Sequence, residues 1–471
     1  MFRTLIIVSI FVLLFIKIVF LYSCKYRSLI CLTQNTIENT TVNEVSDNFG
    51  PDQQRDIDLD GDNDSYILID NVFVEDDMGT ESSIYVKNNK VYLVGTRFLN
   101  NMYDLMVFRF NSDGTYDNSF SGDGVAVFDN IIGQNSGDLG FAIYVDDNNK
   151  TYITGYSYIP GVENPDLIVL RLDEYGNLDN SFNTDGIFIG EMINTYNNNV
   201  DDWDVGNSIV VNNNKIYVGG WSWAKMAILR LNYDGTYDNN FGDSGIVRLN
   251  ISPYSSYNSY IRSIALKNDK IYACGDIDIS STWQMLVVRL NNNGSFDNTF
   301  SGDGILIISN IVPDPLYYNH ALSIYPDNNS KVYIAGTSMW WGTESKWVVI
   351  RLNYDGSFDA NFGNNGIAIF DIEAGNREDI ARSISIDNNN RIYVTGISVV
   401  NNRISLVLMR LNPDGTLDNS FFNDGILVFD SLTGNADQGR SLFIDMNNFI
   451  YLTGVTFGSG GIFRTFVIKL E

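Results

Sequence analysis

The residues best suited to chemistry in this 471-residue chain are aromatic rings and carboxylates. Trp203, Trp221, Trp223, Tyr317, Trp340 and Trp341 fall in stretches that differ between otherwise similar segments. Tyr156, Tyr158, Tyr196, Tyr254, Tyr257, Tyr260 and Tyr318 share those stretches. Rings with large apolar faces and polar tips suit partly wet ligands, so this set reads as a stacking surface for a glycan or another polymer. The competing reading is that the rings fold over their own loops, as many surface aromatics do. His320 is the single histidine, which excludes a histidine zinc cluster and leaves a His-based relay no redundancy. Neither a Gly-x-Ser-x-Gly elbow nor a phosphate-cradling glycine loop with lysine is present. Carboxylate-only glycoside chemistry stays open, because its acid pair has no fixed spacing in sequence.

One acidic stretch has metal-like spacing. Asp56, Asp58, Asp60, Asp62 and Asp64 alternate with other residues around Gly61. Alternate oxygens can converge on calcium where a glycine permits the turn. Ile67 stands at the twelfth position, where an EF-hand needs Glu. The plainer reading is a solvated acidic linker.

These candidates hang on a repeat. The stretch Arg410-Leu-Asn-Pro-Asp-Gly-Thr-Leu-Asp-Asn-Ser-Phe421 has five earlier counterparts, led by Arg109, Arg171, Arg230, Arg289 and Arg351. Lys469 stands where a seventh arginine would, and the steps are 62, 59, 59, 62, 59 and 59 residues. An Asp follows each Arg: Asp117, Asp179, Asp238, Asp297, Asp359 and Asp418. Sixfold repetition argues for architecture, with Arg reaching back to Asp to pin the loop and the Phe plugging between units; calcium in these Asn/Asp loops is the alternative. A second element, Arg391-Ile-Tyr-Val-Thr-Gly396 in unit six, recurs seven times. Its serine neighbours, such as Ser263 and Ser383, read as small residues for a crowded axis. Arg262, Arg382 and Arg440 read as preceding the first strand of their units near a channel mouth, as anion collectors or as ion pairs.

Short β-branched runs bounded by Asn, Asp and Gly read as strands. Unit six then has strands at 383–387, 391–396, 405–411 and 425–430. Seven such units make an all-β, seven-bladed β-propeller of four-stranded blades. The last unit stops after its third strand, and a spare strand, 66–73, precedes the first. Pairing the N-terminal strand with the last blade closes the ring. Loops joining fourth to first and second to third strands share one face, and blades two to five supply nearly all of its aromatics.

Taken together, the two repeated elements resemble the delta-60 repeat family over residues 65–471. That resemblance implies a β-propeller-like array. The family has no assigned activity, so the resemblance implies little chemistry.

The net charge of −27 argues against a nucleic-acid partner, since phosphate backbones need clustered Lys and Arg. Only Cys274 of the three cysteines lies in the array, so no disulfide framework staples it. Residues 1–32 contain an apolar run, Leu5 to Tyr22, which fits a signal peptide or a membrane anchor, with Leu21-Tyr-Ser-Cys24 resembling a lipobox. Residues 33–64 read as an acidic flexible linker. The sequence therefore describes an exported propeller, tethered to the membrane through its N-terminal segment only or secreted. It acts as a binding or structural module for a polysaccharide or a surface protein. A carboxylate-dependent hydrolase or lyase is the alternative.

Overall fold

The computed structural model describes residues 65–470 except 71–82, 134, 162–164, 191–202, 223–224, 250, 252–257, 310, 313–316, 341–343, 373–377, 430–431, 433 and 459–462. The described residues belong to one compact unit, Val45–Glu471. The apolar run Leu5 to Tyr22 and the carboxylates Asp56 to Asp64 lie outside the described residues.

Asn pairs make the tight turns. Asn88 and Asn89, Asn213 and Asn214, and Asn401 and Asn402 all have positive φ between 49° and 63°. Two successive residues of that kind form the two-residue hairpin that matches strand twist. The β-branched runs between such turns pair into seven antiparallel four-stranded sheets. Six blades use four consecutive strands. The seventh takes its outer strand, Ser65–Asp70, from the front of the chain and pairs it with Phe463–Leu470, Ser65 lying opposite Lys469. Ile67 and Ile69 of that strand bury fully against Met106, Phe108, Tyr451 and Val467. The fold is a seven-bladed β-propeller closed by this shared blade.

Each motif arginine sits at a seam between blades. Arg289 Nε lies 2.7 Å from Asp297 Oδ2, and Lys270 Nζ lies 2.9 Å from the same oxygen. Arg109, Arg171, Arg230, Arg351 and Arg410 pair with their own aspartates in the same way. The guanidinium also covers the motif Phe ring at 4.4–5.0 Å, and in Arg109, Arg171, Arg230, Arg289 and Arg351 its Nη1 donates to a turn carbonyl of the following blade, such as Tyr354 for Arg289. Burial pushes Asp297 up, but hydrogen bonds from Thr299 and Lys270 and the Arg289 charge outweigh it and hold the carboxyl well below its usual value. Removing one member of a buried pair strands the other, at a cost of about 3–5 kcal/mol.

The inner strands contain a bulge that the sequence reading did not include. Register shifts fall between Gly206/Ser208, Ile261/Ser263, Ala321/Ser323, Ala381/Ser383 and Gly439/Ser441. The extra residues in blades four, six and seven are Arg262, Arg382 and Arg440. These arginines therefore lie inside the inner strands rather than ahead of them. The bulge turns a carbonyl toward the second strand. A Cβ on Gly275 would stand 1.9 Å from Tyr260 O, and one on Gly396 would stand 1.9 Å from Ile380 O. The repeated glycine is thus the bulge's counterpart and does not end the strand; in blade six the second strand runs Ile392–Val400, past the expected end at Gly396.

The serines beside the bulge do more than save space. An inner edge strand leaves N–H groups without ladder partners. Ser208 Oγ accepts from the Ile264 N–H at 3.1 Å, Ser263 Oγ from Ile324 at 3.4 Å, Ser323 Oγ from Ile384 at 3.3 Å and Ser383 Oγ from Leu442 at 3.2 Å. From blade three to blade six, each blade caps the edge of the next, whereas blade two has Ala142 at this position and no hydroxyl to offer.

An acidic residue recurs four positions before that serine. Asp379 is fully buried, accepts from Ser398 Oγ at 2.5 Å and from the Ile372 N–H at 3.2 Å, and so ties the incoming loop to the inner strand. Asn319 holds the same place in blade five and accepts from Ser338 Oγ at 2.8 Å. Burial pushes the Asp379 carboxyl up to about 6, against those hydrogen bonds.

Gly396→Ala is expected to cost at least ~3 kcal/mol, because a backbone carbonyl cannot move aside as a side chain can; thermal unfolding measures it, and an unchanged Tm would remove the glycine's assigned role. A carboxyl whose folded pKa is raised holds its proton more tightly in the native state. Its contribution is therefore favourable at low pH and declines as pH rises from about 4 to about 6. Asp379→Asn is expected to be at least as stable as the wild type at pH 7.5, by up to about 3 kcal/mol. The stability difference between variant and wild type should shrink on acidification to pH 4, as denaturant unfolding at both pH values would show.

Candidate functional site

The face carrying the fourth-to-first and second-to-third connections is built from strand ends. Because the inner strand of blade four starts at Ser259 and that of blade five at Tyr317, Tyr260, Tyr317, Tyr318 and His320 lie in strands rather than loops. Tyr156, Tyr158, Trp221 and Trp340 likewise lie in second strands that continue past the bulge glycine. Their backbones are held by the ladder, so the rings are presented from rigid elements.

The rings form a series. Trp203, 48% exposed, stacks near Trp221 at 6.3 Å with planes 26° apart. Trp221 meets the edge of Tyr260 at 5.2 Å, Tyr260 meets Trp283 at 5.4 Å, and Trp283 meets His320 at 6.2 Å. The series runs from blade three through blade four to blade five. Trp340, 39% exposed, lies at the end of blade five's second strand, in register with Tyr317. The side chain of Tyr317, and Trp223 and Trp341 as a whole, lie outside the described residues. Tyr156, Tyr158 and Trp221 pack against a small cluster of Leu139, Phe141 and Val205, so Trp221 belongs both to this cluster and to the ring series.

A polar group adjoins the ring series at the seam of blades four and five. Asp276, on the second strand of blade four, is fully buried. Its Oδ2 lies 3.0 Å from Arg262 Nε and 3.3 Å from His320 Nδ1, and its Oδ1 accepts from the Ala321 N–H at 3.1 Å. Burial pushes Asp276 up, but the His320 and Arg262 charges outweigh it and keep the carboxyl below its usual value. Both oxygens are engaged, so Asp276 orients His320 and is not itself offered to a ligand. The imidazole is the partly exposed member of the group. Asn319 Nδ2 donates to Gln284 Oε1 at 3.2 Å.

Trp283 and Asp276 are absent from the sequence-derived site. Trp283 was within reach, since it stands at the start of the third strand of unit four, directly after Ser280, Ser281 and Thr282. Asp276 had no such signal, because it is one carboxylate among many until three strands bring it to Arg262 and His320. Cys274 is buried, its Sγ 3.8 Å from Ala321 O, and burial pushes the thiol well up. Among the described residues, no group of three or more His, Cys, Asp or Glu side chains could hold a metal ion. Among those residues, too, no helix is long and apolar enough to cross a membrane.

A family model described as a β-propeller domain of unknown function (DUF5122) matches residues 87–120, 212–241, 266–300, 328–362 and 388–421. Each match ends at a motif phenylalanine: Phe120, Phe241, Phe300, Phe362 and Phe421. No curated protein matches the chain. Among solved structures, the polysaccharide lyase Uly1 is similar at 10% identity and a TM-score of 0.49, over 83% of this chain and 90% of that one. A putative 6-phosphogluconolactonase from Bacteroides fragilis is similar at 12% identity and a TM-score of 0.41, over 80% and 93%. An endo-arabinanase from Bacillus licheniformis is similar at 12% identity and a TM-score of 0.29, over 67% and 98%. At these scores the likenesses carry no chemical argument. The recurring family matches and the ring of seven blades together make the chain a β-propeller repeat protein.

Proposed function

We propose that the protein is an exported binding module that takes a glycan, or a polymer of similar chemistry, along the ring series of blades three to five. The observation that supports this most is the run of neighbouring rings from Trp203 to His320, each within 6.3 Å of the next. Sugar rings have apolar faces edged with hydroxyls, and aromatic faces bordered by polar groups complement them. An extended ligand crossing two seams would meet Trp203 and Trp221 at one end and His320 at the other. The apolar run Leu5 to Tyr22 supports export, with the array outside the membrane.

A second reading, a carbohydrate-active enzyme, has the oriented imidazole of His320 in its favour. An imidazole aligned by a buried carboxylate beside a stacking surface can move a proton.

Binding of the purified protein to a polysaccharide panel tests the first reading. Trp221→Ala is expected to weaken binding by ~10-fold or more while leaving the thermal transition in place. Undiminished binding in that variant would move the site elsewhere. The second reading requires release of shortened saccharide that His320→Gln abolishes, and retained polymer in every incubation would exclude it for that panel.

A further inference from the structure

Blade four pairs a ring with a carboxylate twice on one face of its sheet. Tyr260 lies opposite Asp276 across the first two strands, and Asp278 lies opposite Trp283 across the second and third. Directly opposite residues share a face, and so do residues two apart on one strand. All four side chains therefore stand on the face that meets His320 of blade five.

The inner pair shows what such a pair can hold. The Arg262 guanidinium lies over the Tyr260 ring, 5.5 Å from its centroid, with Nε 3.0 Å from Asp276 Oδ2. The cation is attracted by the face of the ring and paired with the carboxylate at once. Arg262 and Asp276 are both buried.

The outer pair lies nearer the hairpin tip, and there Asp278 and Trp283 are partly exposed. The tip itself is tight, since Ser280 and Ser281 have φ of 56° and 66°. A two-residue turn of that kind fixes the register of its strands, so ring and carboxylate are presented from a ladder rather than from a loop. Other blades use the same rung, three residues past the bulge glycine, for packing. It holds Phe98 and Tyr103 in blade one, Val399 and Ile404 in blade six, and Phe457 and Phe463 in blade seven. Blade four places a carboxylate there instead. Its field reaches the ring series: burial pushes the Tyr260 hydroxyl up, the Arg262 charge opposes this, and Asp276 and Asp278 add to the rise.

The surrounding charges favour a cation as the ligand. Arg262 is matched by Asp276. Lys225 of blade three pairs in register with Ser222, on the opposite face of its sheet from Trp221. The chain as a whole has a net charge of −27, which draws cations and repels polyanions.

We propose that Trp283 and Asp278 form a cation subsite of the ring series, and that its ligand is an amino-sugar polymer with free ammonium groups. This inference rests on the glycan reading and narrows it. The ammonium group lies on Trp283 and pairs with Asp278, as Arg262 does with Tyr260 and Asp276, while uncharged parts of the polymer stack on Trp221 and Trp203.

Calorimetric titration of the full chain at about pH 5.5, with a glucosamine pentamer and with its N-acetylated form, tests this. At that pH the free amines are charged and the N-acetyl groups are not. The amine form is expected to bind at least ~10-fold more tightly. Asp278→Asn, which keeps the shape and removes the charge, should remove most of that preference. Trp283→Leu should weaken binding of the amine form by a similar factor. Asp123→Asn, which neutralises an exposed carboxylate of the motif face, should leave the preference intact. Equal or weaker binding of the amine form would overturn the inference while the glycan reading stands. A preference that survives Asp278→Asn would overturn it in favour of a general attraction between a polycation and an acidic protein. Spermine bound as tightly as the pentamer would replace the amino sugar by a simple polyamine. If neither oligomer binds, the cation subsite falls, and the polysaccharide panel decides the glycan reading on its own. Both positions are partly exposed, and the thermal transition of each variant checks that the fold persists.

Discussion

The ring depends on a buried guanidinium shared between neighbours. Arg289 answers to Asp297 and Thr299 of its own blade and to the Tyr354 carbonyl of the next, while its plane covers Phe300. A cation buried with one partner would be costly, and this one has its directed donors used by both blades. The same residues therefore shape the loop within a blade and set the angle between blades. Lys270 adds a second charge to Asp297 from the start of the second strand, which joins the second and third strands of the blade to one carboxylate in the motif loop. The serine caps of the inner edges, from Ser208 to Ser383, repeat this sharing at the axis with neutral groups.

Much of this architecture was legible because the same chemistry returns in six of the seven units. Arg, Asp, Gly and Phe keep their spacing in six copies, and spacing is what a sequence displays. The strand count and the ring followed from that spacing, and closure by an N-terminal strand, expected at 66–73 and found at Ser65–Asp70, followed from the three-stranded last unit. The bulges were not legible, since a bulge is a relation between two strands. Its trace, the glycine of the second strand, looked like a terminator and shortened the expected strands by several residues. The Asp379–Ser398 pair was hidden for a similar reason, because its members stand nineteen positions apart and blade five replaces the acid with Asn319. The candidate site was legible only as a region. The face and most of its rings came from the departures between repeats, whereas the Arg262–Asp276–His320 group exists only where two blades meet.

The two faces of the ring divide the work. On the motif face, the side chains with strong chemistry are spent on one another, and the aspartates there are held ionised. On the other face the seams vary, and among the described residues blades three to five present a run of rings that ends at an oriented imidazole. Blade six closes the same position with buried Asp379 and Ile397, which leaves less for a ligand to read. The repeated seams of the motif face hold the ring, which leaves the opposite face freer to vary.

The pairing of Ser65 with Lys469 also sets an order of events during synthesis. Of the described strands of the ring, the outer strand of the last blade is made first and its partner last. At roughly 5–20 residues per second, about 20–80 seconds separate the two. Tyr66, Ile67 and Ile69 spend that interval without the strand that will cover their edge, and such unpaired apolar edges invite association between chains. Bringing the two ends together also forfeits the entropy of a loop of about four hundred residues, which non-local pairing recovers only at the final step. The ring should thus be completed late and all at once, and the nascent chain is most vulnerable to aggregation just before its last strand appears.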